Sequence, residues 1–376
     1  MSESMLDLFE SLSTPMWAAI FVMLGGCVGT ALVKVIERLA DGQPCRPRLR
    51  CGQCQEPFPW QSRLPWVGWI AIGRKCRACQ ASIPSWYEWF PVVCGLLFGV
   101  YVVLVLDLRC QQIEQVHPDT LWKYGRIVYH LTLVTLLIAA TGTDVRRFVV
   151  PDAVTVTGML IGVGGAVVSG DLQMVHLWID WNSEAIFVGA YIPEWVVAHR
   201  HWHGLAWSLA GLLAGGGLTW GLRLISGRIL GGEALGFGDV TLMAMIGSFV
   251  GWQAVLFIFL VAPLLAFFAG LVVGLTGRRT YLPYGPYLSG ATYIVLCTWR
   301  WLWRPTRDIF GHWPSLLGLA AVAMGALGGL LILARMYRSI PVEHTKLERA
   351  LQRERSQSDQ PSSSTAAVRD EDITAE

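Results

Sequence analysis

Long apolar runs recur from near one end of this chain to near the other, and they limit what it can fold into. Each holds about 18 or more mainly apolar residues, enough for a helix to cross the hydrocarbon of a bilayer. Inside hydrocarbon every backbone N–H and C=O must be bonded within the chain, so such runs are helical. Charged residues are 15% of the 376 and hydrophobic residues 53%, a balance foreign to a water-soluble domain of this size. The expected fold class is an all-α polytopic membrane protein with about nine transmembrane helices, eight at the least. The first ten residues carry Glu3, Asp7 and Glu10, whereas a secretory signal begins basic, so no cleaved signal is expected.

The first five spans are read at about Trp17 to Val35, Trp89 to Leu106, Ile127 to Thr143, Ala153 to Val168 and Leu205 to Ile225. The run from Val240 to Leu275 is too long for one ordinary crossing and is divided near Gly251-Trp252. Its first piece is only about 11 residues, or roughly 17 Å of helix. An eighth span follows Pro286 to Trp303, and a ninth covers Ser315 to Ala334. Residues 37–88 carry eight Arg and Lys, including Arg46, Arg48 and Arg74, against Glu37, Asp41, Glu56 and Glu88. That excess places the segment in the cytoplasm and the N-terminus outside. The divisions that follow are residues 1–36, 37–88, 89–303 with an external insert at 169–203, 304–335, and a cytoplasmic, mostly disordered tail at 336–376. The insert holds His176, His199, His201 and His203, read as an exposed interfacial loop in preference to a metal site.

Two aspartates end apolar runs: Asp144 in Thr143-Asp144-Val145, and Asp239 in Gly236-Phe237-Gly238-Asp239. An ionisable residue there is costly unless it faces a wet, protein-lined cavity. Span three ends at Asp144 and span six begins at Asp239, so both lie at the cytoplasmic edge. Two carboxylates at short range cannot both ionise and come to share a proton, the working state of an aspartic protease. The glycines at 236 and 238 let another backbone approach Asp239. Asp152 follows Pro151 and reads as a first-turn carboxylate favoured by the helix N-terminus.

Cys51-Gly-Gln-Cys54 and Cys76-Arg-Ala-Cys79 form two C-x-x-C knuckles 21 residues apart. Two such knuckles supply four thiolates to one tetrahedral zinc, a closed and therefore structural site. Nine cysteines cannot all pair within one chain, and cytoplasmic thiols stay reduced. Cys27, Cys94 and Cys297 lie in apolar runs and read as packing residues.

In this order the features resemble the bacterial prepilin peptidases, the type IV leader peptidases of the G-x-G-D intramembrane aspartic protease class. The matching residues are the two knuckles, Asp144 followed by Pro151-Asp152, the 236–239 motif, and Pro283-Tyr284-Gly285-Pro286. The resemblance implies Asp144 and Asp239 as catalytic residues and a cytoplasmic zinc loop on Cys51, Cys54, Cys76 and Cys79. It implies support from Gly236, Gly238, Pro283, Gly285 and Pro286 around them. It further implies an inner-membrane enzyme that cuts the basic leader from type IV prepilins or pseudopilins after a glycine. Many members then methylate the new N-terminus, usually phenylalanine, with S-adenosylmethionine. Pro91 stands where the family commonly has a glutamate, with Glu88 nearby. Membrane lipid surrounds such a protein, and no nucleic-acid partner is expected. A proton or cation transporter relaying through the two aspartates and a non-catalytic assembly factor are the rival readings. The transporter would not account for two carboxylates at one edge beside a zinc loop, and retained function after Asp239→Asn would favour the assembly factor.

Overall fold

The computed structural model of the chain describes residues 13–41, 51, 53–54, 56–57, 75–113, 116, 118–177, 194–230, 235–275, 283–312 and 314–321, with Gly325 and Gly329. The ordered elements are helices: α1 Thr14–Asp41, α2 Trp86–Leu106, α3 Thr120–Arg147, α4 Asp152–Ser169, a short α5 Glu194–Ala198, α6 Arg200–Leu230, α7 Phe237–Leu275 and α8 Gly285–Gly311. Six of them, all but α5 and α8, are long and apolar enough to cross a membrane. The protein is therefore a multi-pass membrane protein. Helix α8 is amphipathic, with Arg300, Arg304, Arg307 and Asp308 in its second half. The ninth predicted span falls mostly outside the described residues, as do the tail and most of the cysteine loop.

Helix α7 contains the break that its length predicts. Gly251 has φ 80° and ψ 168°, a backbone state open in practice only to glycine. The indole of Trp207 occupies the place a side chain there would need. Beyond the break, Trp252 Nε1 donates to Leu177 O (3.0 Å) and Gln253 Nε2 to His176 O (2.9 Å). These bonds draw the start of the 169–203 insert inward. Leu172, Met174 and Val175 are buried, which corrects the expectation of an exposed loop for this part of it. His176 and His203 are buried with rings 5.4 Å apart, whereas His199 and His201 are exposed, so the four histidines do not converge. Residues 178–193 lie outside the described residues.

Helix α3 touches α1, α2, α4, α7 and α8, and it is the most enclosed of the candidate spans. Lipid tails are as apolar as leucine, so helices in a bilayer are held by close packing and interhelical hydrogen bonds. Both occur here. Tyr129 OH donates to Gly162 O (2.7 Å) on α4 and also approaches Ser248 O (3.3 Å) on α7. Gly25 and Gly29 let α1 close on α2: a Cβ at 29 would stand 2.7 Å from Pro91 Cα, and one at 25 would stand 2.7 Å from Cys94 O. The G-x-x-x-G spacing is thus a helix contact. Gly29→Val should force α1 and α2 apart and cost about 1–3 kcal/mol. Thermal unfolding of the purified protein checks this, and an unchanged midpoint would contradict the contact.

Candidate active site

Asp144 lies in the last turn of α3 with 6% of its surface exposed. Its Oδ2 accepts a hydrogen bond from the backbone N–H of Gly285 (3.0 Å), the first residue of α8. The opening turn of a helix has N–H groups without intrahelical partners and a positive dipole end, so it suits a carboxylate. Gly285 is required by space. A Cβ at 285 would stand 2.5 Å from that same oxygen. Pro286 follows at the start of α8, where its missing N–H costs nothing.

Asp239 lies in the first turn of α7, 9% exposed. Its Oδ2 reaches back to the N–H of Gly236 (3.2 Å), the acidic half of a capping box. Gly238 faces the α3–α4 connection, where a Cβ would meet Val150 Cβ at 3.0 Å. The charge of Asp144 acts on Asp239, and that of Asp239 on the Tyr284 phenol, so the three groups lie at one end of the bundle. The ends of α3, α7 and α8 thus meet at the Tyr284–Gly285 turn. Asp152 is exposed at the start of α4.

Arg146, two residues past Asp144, joins the other helix ends at this face. Its Nη1 pairs with Glu37 Oε1 on α1 (3.1 Å), and its guanidinium lies 4.9 Å from the ring centre of Trp86 on α2. Beside them an apolar cavity of about 580 Å3 opens between α1, α2, α3 and α8. Ile36, Phe90, Val145 and Pro286 line it, and the Oγ of Ser289 on its wall is buried without a hydrogen-bond partner among the described residues.

The four cysteines of the knuckles converge. Their sulfurs lie within 4.8 Å of one another, with Cys51 and Cys79 3.6 Å apart and Cys54 and Cys76 3.6 Å apart. A tetrahedral zinc with Zn–S near 2.3 Å needs sulfurs about 3.8 Å apart, so the donors fit that ion. These separations are too long for disulfides. The two knuckles are built alike. Cys51 N–H donates to Glu56 O, and Cys76 N–H to Ala81 O, both at 2.9 Å. The N–H groups of Cys54 and Gln53 bring the Cys51 thiol down to about 6, and those of Cys79 and Ala78 lower Cys76. Amides aimed at sulfur favour the thiolate, the form that binds metal. Cys110 is buried and its thiol faces Leu296 O (3.8 Å).

Reasoning from sequence identified both aspartates but not their partners. The N–H of Gly285, the Tyr284 phenol and the Arg146 clasp came from the fold. One signal was available: Gly285-Pro286 at the head of an amphipathic run marks a helix N-terminus, and a carboxylate is its natural ligand. Pro91 is buried, packed on Gly29, so no carboxylate stands at that point of α2.

Residues 23–105 match the family of the bacterial peptidase A24 N-terminal domain, and residues 131–275 match the type IV leader peptidase family. Together these cover well over half of the chain. Among curated proteins, the prepilin leader peptidase/N-methyltransferase of Myxococcus xanthus is 29% identical over 266 residues, 70% of this chain and 65% of that protein. The protein of the same name from Stutzerimonas stutzeri is 27% identical over 66% of this chain and 71% of its own length. That of Klebsiella pneumoniae is 27% identical over 64% of this chain and 87% of its own length. No solved structure matches the chain.

Proposed function

This chain belongs to the type IV leader peptidase family, and from that premise we propose that it is an intramembrane aspartic endopeptidase cutting the leader from type IV prepilins or pseudopilins. The observation that supports the reading is the placing of two buried carboxylates, Asp144 and Asp239, at one end of the bundle beside the Tyr284–Gly285 turn, each within reach of the other's charge. One carboxylate takes a proton from water as the water oxygen attacks the scissile carbonyl. The other, protonated, donates to the carbonyl oxygen. When the tetrahedral intermediate collapses, the C–N bond breaks and a proton passes to the leaving amine. The Gly285 N–H holds Asp144 in place, and the apolar cavity beside it takes the apolar residue that follows the cut. Cleavage of a synthetic prepilin by the purified protein, read from product masses, tests the reading. Ion flux through proteoliposomes without cleavage would favour the transporter.

Gly285→Ala should push the Asp144 carboxyl off its N–H, and a displacement of about 1 Å costs on the order of a hundred-fold in kcat. Wild-type turnover by that variant would remove the positioning role.

The Cys51, Cys54, Cys76 and Cys79 site would hold zinc as a structural ion beside the peptidase. Methyl transfer from S-adenosylmethionine is a second activity that the relatives' names suggest. Mass analysis of the mature pilin N-terminus decides it. The basic 37–88 segment supports an orientation with that loop and the aspartates in the cytoplasm, the N-terminus outside and the C-terminus inside. An impermeant thiol reagent should label a cysteine at Ser183 in intact cells and one at Ser62 only after permeabilisation. The opposite pattern would invert the topology.

A further inference from the structure

A second cavity, of about 450 Å3, lies at the other end of the bundle, between residues 105–113, 116 and 118, the first turns of α3 and the last turns of α8. Helix α3 runs from this cavity to Asp144, and α8 runs from Gly285 to it, so cavity and aspartates occupy opposite faces of the bundle. Six cations line it: Arg109, Lys123, Arg126, Arg300, Arg304 and Arg307. Among the described residues no carboxylate does. Arg307 also pairs with Asp308 (3.5 Å), outside the lining. Asp171 lies close enough for its charge to act on Arg126, although it is paired with Arg200 (3.2 Å). Around Arg109, Arg126 and Arg300 like charges repel one another and burial adds a desolvation cost, which a bound anion relieves.

Two buried groups point to that anion and to what it carries. Arg126 is only 6% exposed, and its Nη2 donates to Asp171 O (3.2 Å). Its Nε is buried without a hydrogen-bond partner among the described residues. Gln111 is 4% exposed, and its Nε2 donates to Tyr101 OH (2.9 Å) and Leu296 O (3.2 Å). Its Oε1 has no partner among the described residues, so a donor is wanted there. The cavity is also a built feature of the backbone. Arg300 N–H donates to Cys110 O (2.7 Å), while Leu296 O, its acceptor in an unbroken helix, accepts from Gln111. Loop and helix thus share hydrogen bonds and fix Arg109, Gln111 and Arg300 around one space.

We propose that this cavity binds the phosphate of an acidic phospholipid whose headgroup bears a hydroxyl. The phosphate lies against Arg126 and Arg300, and the hydroxyl donates to Gln111 Oε1. Leu106, Ile127 and Trp303 on the wall provide apolar surface for the start of an acyl chain. Inorganic phosphate offers the same anion without the chain. The site is independent of what the aspartates do.

The test uses the full chain purified in detergent, with unfolding followed by tryptophan fluorescence. Phosphatidylglycerol should raise the midpoint by roughly 3–6 °C, and phosphatidylcholine should not. The pair Arg109→Gln and Arg300→Gln should lose at least half of the shift. Should that double variant not accumulate, Lys123→Gln, on an exposed side chain, should lose part of it. An equal shift from inorganic phosphate would support the anion site and assign its source to free phosphate. Equal shifts with both lipids, or a full shift in the variants, would overturn the proposal.

Discussion

Asp144→Asn and Asp239→Asn should each lower leader cleavage by roughly a thousand-fold or more, with the protein still inserted and folded. An amide keeps the shape of the side chain and can still meet the N–H of Gly285 or Gly236 through its oxygen. It cannot take a proton from water or pass one to a leaving amine. The loss therefore reports proton transfer and not packing. Asp152→Ala supplies the contrast, because that carboxylate is exposed at the head of α4 and touches neither aspartate's donor. Its effect should stay within about two-fold, as for a surface change remote from the chemistry. Single-turnover cleavage of a synthetic prepilin measures all three. Near-normal turnover by either Asn variant would end the two-carboxylate mechanism, and a dead Asp152→Ala would assign the pair wrongly.

The second large effect concerns metal. One zinc per chain should co-purify and be lost when Cys51 and Cys76 are both changed to Ser. Structural zinc sites bind with apparent free energies of about 10–16 kcal/mol, most of which is folding free energy of the segment they close. A loop of this size buries too little surface to fold unaided. It should therefore become protease-sensitive in the double variant. Cleavage itself should persist, because Asp144 and Asp239 stand on α3 and α7. Leader recognition or methyl transfer should weaken instead. Elemental analysis with protease mapping reads both parts. A metal-free native protein whose four thiols alkylate freely would leave the sulfur geometry without a role.

The helices were legible because hydrocarbon admits little else. Their ends were less so. The third span was read from Ile127, yet α3 begins at Thr120 and Arg126 is buried. A charge inside the protein cannot be told from one at the interface by hydropathy. Gly251 was legible from length alone, because 39 residues exceed one crossing. Leu172 to Val175 were not. They sit in a polar stretch, and Trp252 and Gln253, distant in sequence, help draw them inward. Both aspartates could be found as charges ending apolar runs. Which backbone N–H each would meet depends on how α8 approaches α3, and no local pattern encodes that. The cysteine knuckles were the reverse case, since two C-x-x-C pairs carry most of their geometry within four residues each.

Glu37 lies a turn before the end of α1, Trp86 opens α2, and both rest on one guanidinium, that of Arg146. The segment that carries the cysteines therefore leaves and re-enters the helical bundle at a single point. In architectural terms it is a graft with a stapled base. Bringing its two ends together costs little further entropy, because the helices already hold them there. Its length and content are then free to vary without moving α3. That decoupling allows the cysteine-bearing appendage to be lost, exchanged or retuned while the helices beneath it stay in register.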